Sequence, residues 1–324
     1  MSKKVAVVTG YAGFIGSTFT RRLLEEGWYV YCIDKFSYVS DMIQADRNHQ
    51  EYHQRMQWIQ ADICELEWLP ECDVIFNLAA ESDVDISNQD SSKFIQTNID
   101  GVRNLLNIIN NRILIRADKP LFFQVSTDEV YGDILGGSFD ESAQLNPSNP
   151  YSASKAAADF LVRSYFHTYG MNVVTTNCSN NYGPKQHDEK LIPTIIRKAL
   201  SGEAIPIYGD GTNRRDWLYV LDHCKGIELV YKKGKAGETY NIGGNNERDN
   251  LYIADKICEI LDELKPQKKS YKRQISFVKD RPGHDLRYAI DASKIEEELG
   301  WKADENFDTG IVKTIQWYLD KYQN

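Results

Sequence analysis

Val5-Ala-Val-Val-Thr-Gly10-Tyr-Ala-Gly13-Phe-Ile-Gly16 decides the fold. The β-branched run from Lys4 to Thr9 reads as a short strand, and Phe14, Ile15, Phe19, Leu23 and Leu24 then recur at the spacing of one helix face. The three glycines between them permit a tight turn, close approach of a ligand to the backbone, and close packing of helix on strand. Tyr29 to Ile33 makes a second strand that ends at Asp34, 18 positions after Gly16, near the ~20-residue offset at which a carboxylate meets an adenosine ribose. Strand, glycine turn, helix, strand and acid together predict a dinucleotide site around Gly10, Gly13, Gly16 and Asp34, with the unpaired N–H groups of the helix start offered to the phosphates. Asp34 favours NAD, since a carboxylate accepts from a free 2′-hydroxyl and repels a 2′-phosphate; the adjacent Lys35 keeps NADP as the alternative.

Working outward, strand and helix patterns keep alternating. Met56 to Ala61 is a third strand ending at Asp62-Ile63, where the carboxylate either faces the adenine edge or caps the next helix. Val74 to Leu78 is a fourth, and Ala79-Ala80-Glu81-Ser82 continues it with small residues that let a ligand lie against the backbone. Phe94 to Ile109 reads as one long helix, Leu121 to Val125 as a fifth strand beside the fourth, Tyr151 to about Tyr169 as a helix and Val173 to Thr176 as a sixth strand. Asn177 to Pro184 is an amide-rich loop suited to sugar hydroxyls or to a plain turn. From Leu191 the pattern is mixed, with helices at Ile192 to Leu200, Leu221 to Tyr231, Leu251 to Leu264 and Phe307 to Tyr322, and strands at Ile205 to Tyr208, Asp216 to Val220 and Glu238 to Ile242. The expected architecture is α/β: a doubly wound parallel, Rossmann-type sheet in residues 1–183, and a smaller mixed α/β substrate domain in 184–324, with some chain crossing between them.

Composition narrows the function. A net charge of -9 argues against non-specific nucleic-acid binding, and no run of ~18 apolar residues suggests a membrane span. The first residues lead straight into a strand rather than a signal peptide, and six cysteines without C-x-x-C pairing suit reduced thiols, so a cytoplasmic protein is expected. His49 and His53 have helical spacing but stand in a polar stretch without acidic companions, so no metal site is expected.

The fifth strand delivers Ser126-Thr127-Asp128-Glu129-Val130-Tyr131-Gly132, a hydroxyl beside two adjacent carboxyls at the end of a buried strand, where open parallel sheets bind ligands. Downstream, Tyr151-Ser-Ala-Ser-Lys155 places a phenol and an ammonium on one helix face. A nearby ammonium lowers a phenol's pKa, which makes Tyr151 a candidate base. Arg214, Arg215 and Arg281 are candidates for a diphosphate, because guanidinium matches phosphate oxygens in pairs.

These stretches, together with Leu78 to Ser82, Asn177 to Pro184, Tyr208 to Asp222 and Asp280 to Asp291, resemble the nucleoside-diphosphate-sugar 4,6-dehydratases of the extended short-chain dehydrogenase group, over nearly the whole chain. Ser126 to Gly132 is the most specific part, because epimerases of the same fold generally lack the Asp-Glu pair. The resemblance implies that Ile15, Gly16, Asp34, Asp62, Ile63, Leu78, Ala79, Ala80, Ser82, Thr97, Tyr151, Lys155 and Asn181 hold NAD. It implies that Ser82, Thr127, Asn180, Lys190, Leu191, Tyr208, Arg215, Asn250 and Arg281 hold the sugar nucleotide, with dTDP-glucose the expected substrate and UDP-glucose the alternative. Tyr151, assisted by Thr127 and Lys155, would take the C4 hydroxyl proton during oxidation; Glu129 would take the C5 proton and Asp128 would protonate the leaving C6 hydroxyl. Asp83 and Ile86 stand where His and Arg are expected, and Lys185 to Asp188 replaces a more aromatic segment, so departures gather near the nucleotide sugar.

An epimerase or decarboxylase of the same fold would have no use for the Asp128-Glu129 pair, and a non-catalytic NAD sensor would have no use for Tyr151 and Lys155 either. Apolar residues on several faces of the two long helices (Ile99, Val102 and Leu105; Ala157, Phe160, Leu161 and Phe166) predict a homodimer through a four-helix interface.

Overall fold

The computed structural model describes residues 4–37, 40, 50–116 and 119–323, with side chains omitted for 113–116 and 323; His49 lies outside them. Seven parallel strands form the main sheet: β1 (Val5–Thr9), β2 (Tyr29–Asp34), β3 (Met56–Gln60), β4 (Val74–Asn77), β5 (Leu121–Thr127), β6 (Val173–Cys178) and, from late in the chain, β10 (Thr239–Ile242). Their order is β10-β6-β5-β4-β1-β2-β3. Every residue of β4 and β6 is buried, as parallel strands covered on both faces require. β1 pairs with β2 on one side and β4 on the other, so the order reverses there and the ligand crevice lies beyond Thr9 and Asn77.

Helices cover both faces. On one, α1 (Phe14–Glu25) lies beside α6 (Val220–Lys233); Phe19 meets Phe76 edge-on at 4.7 Å, and Arg22 pairs with the buried Glu228 at 2.6 Å. On the other, Val102, Leu105, Leu106, Ala158 and Val162 pack on Val7, Ile75 and Phe122. They come from α3 (Ser92–Phe94, a wide π turn Ile95–Gly101, then Val102–Arg116) and α4 (Pro150–Tyr169). One expectation changes here: the stretch expected as one long helix contains that wide turn. Of the apolar residues on its several faces, Val102 and Leu105 are covered by this chain's own sheet.

A second core gathers Tyr182, Ile192, Ile196, Trp217, Ile257, Phe307 and Ile311. It is built from α5 (Leu191–Ser201), α7 (Asn250–Leu264) and α9 (Phe307–Gln323) against two small sheets. One contains β7 (Asn180–Tyr182), β9 (Arg214–Tyr219) and β11 (Glu247–Asp249); the other pairs β8 (Ile205–Tyr208) with β12 (Ile275–Val278). The amide-rich stretch 177–184 thus contains a strand, while β11, β12, α2 (Val84–Gln89) and α8 (Ser293–Leu299) have no counterpart in the sequence reading. All four are short, β11 is only partly buried and β12 is mostly exposed, so no core-facing pattern of any length marks them. The chain passes repeatedly between the two cores: β7 pairs with β9, α6 and β10 return to the main sheet, α7 joins the second core, α8 packs on the first, and α9 ends in the second.

Candidate active site

The turn after β1 is built so that nothing but backbone fills it. Gly10 adopts φ +67, and a Cβ added there would stand 2.7 Å from Ala79 N; at Gly16 it would stand 2.0 Å from the Gly10 carbonyl oxygen. The first turn of α1 has no side-chain cap, which leaves its N–H groups for an anion. Asp34 anchors this turn from β2, accepting from Ala12 N at 3.0 Å, Phe36 N at 2.8 Å and Ser40 Oγ at 3.3 Å. Burial pushes its carboxyl up while these donors hold it down.

One crevice collects Gly10, Gly13, Asp34, Asp62, Ile63, Leu78, Ala79, Ala80, Glu81 and Thr97, together with Lys35, Ser37 and Ser40, which were not among the residues expected to hold NAD. Lys35 donates to Glu81 at 2.7 Å and lies 3.7 Å from Asp62. Its charge is thereby committed to two carboxylates rather than held out for a 2′-phosphate. Asp62 also accepts from Cys64 N at 2.9 Å, which closes a turn; no helix begins there for it to cap, and its carboxylate lines the crevice.

At the neighbouring strand end, Thr127 closes β5 and caps the short turn Asp128–Tyr131, accepting from Glu129 N at 3.3 Å and donating to Asp128 Oδ1 at 3.3 Å. Asp128 is 2% exposed. Burial pushes its carboxyl well above the usual range, and Glu129 adds to this. Burial raises Glu129 as well, but Arg215, Arg281 and Lys190 pull it back. Both stand above the ordinary range, Asp128 further than Glu129, so Glu129 is the first of the two to ionise and Asp128 the one that keeps its proton.

Tyr151 reaches the same spot from the first turn of α4, whose start is fixed by Pro150 and a capping box between Asn149 and Ser152. Its phenol contradicts one expectation. Burial pushes its pKa well above the ordinary value, Glu129 pushes the same way, and Thr127 pulls against them. Lys155 is itself buried, so burial lowers its own pKa, and its Nζ donates to the Val125 carbonyl at 2.8 Å. In the protein alone, desolvation of the phenol outweighs the help expected from the ammonium.

The second core supplies the cations. Arg215 is buried, stacked 4.2 Å from Tyr288, with its terminal nitrogens on the carbonyls of Arg214, Asp285 and Leu286. Arg214, its neighbour on β9, is exposed and points to the other face, so it drops out as a diphosphate candidate. Arg281 lies 3.6 Å from Asp85 and keeps a buried Nε without a partner. Asn180 Oδ1 and Asp128 Oδ2 are likewise buried and unpartnered, and unsatisfied polar atoms on three site residues mark places for a ligand's own groups. Tyr208 donates to Asp85 at 3.3 Å and Lys190 to the Ser82 carbonyl at 2.8 Å. Leu191 begins α5 and Asn250, buried, begins α7. The Asn181 amide is already engaged, to Ser179 O at 3.0 Å and to buried, neutral His223 at 2.9 Å.

The sequence departures have different fates. Asp83 caps α2, accepting from Ile86 N at 2.8 Å, and places Asp85 between Tyr208 and Arg281. Gln186 and Asp188 are tied to α9 through Tyr318 and Lys321. A broad groove lies elsewhere, behind α4, between 140–145 and 236–239. It contains neither the acid pair nor Tyr151. Among the described residues no His, Cys, Asp and Glu side chains group as a metal site, and no helix is long and apolar enough to cross a membrane.

Comparison with known proteins agrees with this arrangement. Residues 7–314 match the GDP-mannose 4,6 dehydratase family. A dTDP-glucose 4,6-dehydratase of Escherichia coli is 46% identical over 335 residues, covering 97% of this chain and 92% of the relative, and one from Xanthomonas campestris is 46% identical with the same coverage. The crystal structure of the Streptomyces venezuelae dTDP-glucose 4,6-dehydratase DesIV with NAD and dTDP bound superposes with a TM-score of 0.89 at 40% identity, covering 98% of both chains. A UDP-glucuronic acid 4-epimerase from Bacillus cereus reaches 0.87 at only 26% identity, so the fold is shared beyond one chemistry. Identity over nearly the full length, with a seven-stranded parallel sheet, shows that this chain belongs to the nucleoside-diphosphate-sugar 4,6-dehydratases of the extended short-chain dehydrogenase family.

Proposed function

We infer that the protein is a hydro-lyase that converts dTDP-glucose to its 4-keto-6-deoxy sugar with NAD held as a prosthetic group. The observation that carries this reading is the convergence of Thr127 from the end of β5 and Asp128 and Glu129 from the turn after it with Tyr151 from α4, close to Arg215 and Arg281. The crevice fits NAD: a glycine cradle that a Cβ would fill, an uncapped helix start, Asp34, and Leu78 followed by the small residues Ala79 and Ala80. Gly10, Gly13, Ile15, Gly16, Asp34, Asp62, Ile63, Ser82, Thr97, Lys155 and Asn181 complete the set that would hold it. When bound, NAD supplies a positive ring charge, the hydride acceptor for C4 and the hydride delivered to C6.

Tyr151, bonded through Thr127, takes the proton of the C4 hydroxyl. The 4-ketone so formed acidifies C5–H, which Glu129 removes while Asp128 gives its proton to the departing C6 hydroxyl, releasing water. Glu129 then returns its proton to C5. Arg281, with its free Nε, and Lys190 meet the diphosphate, whereas Arg215 contributes charge from a fixed position. Six unpaired cysteines suit a cytoplasmic protein. Ile95 and Phe160, about half exposed on α3 and α4, support pairing of these helices across a two-fold axis in a homodimer.

The direct test is to incubate purified protein with dTDP-glucose and with UDP-glucose and read the 4-keto product. Turnover of dTDP-glucose without net NAD consumption is expected. Stoichiometric NADH build-up over many turnovers, or no keto product from either sugar, overturns the reading.

A further inference from the structure

Two side chains fasten α4 to the last residues of β5. Lys155 Nζ donates to the Val125 carbonyl at 2.8 Å, and Ser126 Oγ donates to Asp159 Oδ2 at 2.6 Å. Lys155 and Asp159 are four residues apart and stack on one helix face, as Tyr151 and Lys155 do. The other carboxyl oxygen, Asp159 Oδ1, is shielded from water and has no hydrogen-bond partner. The residues fastened, Val125 and Ser126, immediately precede Thr127, Asp128 and Glu129.

We propose that Asp159 is a positioning residue for the oxidation: it is the counter-charge that keeps Lys155 protonated and, through Ser126, it fixes the end of β5 at a set distance from Tyr151. The proposal rests on the reading of Tyr151 as base and Lys155 as its cation. The charges fit. Burial pushes the Asp159 carboxyl up to about 6, with Lys155, Ser126 and Gln124 holding it down, so above that pH it is ionised. Burial pulls Lys155 down, and Asp159 opposes this ahead of Cys178 of β6, whose thiol burial pushes up to about 12 and so keeps neutral. Tyr131, also near Asp159, is raised by burial and uncharged across the same range.

An ammonium is charged below its pKa, and a carboxylate beside it raises that pKa, so removing the carboxylate brings neutralisation to lower pH. Asp159→Asn keeps an acceptor for Ser126 and removes only the charge. The alkaline limb of the C4 oxidation, read as single-turnover nicotinamide reduction on mixing with dTDP-glucose, should move down by about 1 pH unit, the low end for loss of an opposite charge. The 13Cε titration of Lys155 in lysine-labelled protein should move with it. Ser126→Ala should lower kcat at every pH and leave the limb in place, and Asp159→Glu should keep the limb near the wild-type position. The inference is overturned if Asp159→Asn leaves both the limb and the Lys155 midpoint unmoved, or if Asp159→Glu shifts the limb as far as Asp159→Asn. Wild-type turnover by Lys155→Ala would instead overturn the underlying assignment of the Tyr151-Lys155 pair.

Discussion

Asp128 and Glu129 are adjacent in sequence, yet the fold gives them different surroundings: Asp128 is buried against Glu129, and Glu129 faces three cations. An acid must be protonated to donate and a base ionised to accept. Elimination should therefore strengthen as pH rises through the Glu129 value and weaken as it rises through the higher Asp128 value. The kcat profile of the wild type with dTDP-glucose should be a bell, and Asp128→Asn should lower kcat by roughly 10²- to 10⁴-fold, the usual share of a general acid. Glu129→Gln should stop water loss but leave oxidation partly alive, so mixing it with substrate should produce a lasting reduced-nicotinamide absorbance. Normal turnover by that variant removes Glu129 from the mechanism. Both carboxyls were legible from the sequence as a pair, and their division into acid and base followed from the resemblance; that Arg215, Arg281 and Lys190 face Glu129 was not legible, because they come from distant parts of the chain.

At the scale of elements, the strand-turn-helix around Gly10 to Gly16 was legible because its chemistry is local. Gly16→Ala would drive a methyl to 2.0 Å from the Gly10 carbonyl oxygen, an overpacking that costs about 1–3 kcal/mol. The melting temperature should fall, and the further rise on adding NAD should be much smaller than in wild type, as differential scanning fluorimetry with and without NAD would show. The helix expected across Phe94 to Ile109 was legible only as a helix. Its wide turn at Ile95–Gly101 carries Thr97, buried and accepting from Lys35 at 3.3 Å. Side-chain periodicity over one turn is too blurred to register the extra residue in such a turn, although turns of this kind concentrate at functional sites.

At the scale of the molecule, the chain's own sheet covers Val102 and Leu105, which leaves Phe160, 55% exposed on α4, as the sharper probe of an interface between subunits. Phe160→Glu should convert a dimer at micromolar concentration to a monomer by light scattering; a wild-type monomer, or an unchanged dimer in the variant, removes the four-helix interface. The sequence by itself determined the parallel sheet, the dinucleotide turn, the acid pair and the Tyr151-Lys155 spacing, because glycine geometry, strand and helix periods and adjacent side chains are local properties. Only the tertiary structure decided that Lys35 is spent on Glu81 and Asp62, that Arg215 is held by carbonyls while Arg281 keeps a free Nε, that Arg214 faces away, and that Asp159 stands behind Lys155. Burial and the approach of charges from remote segments set those outcomes, and neither can be read from spacing along a chain.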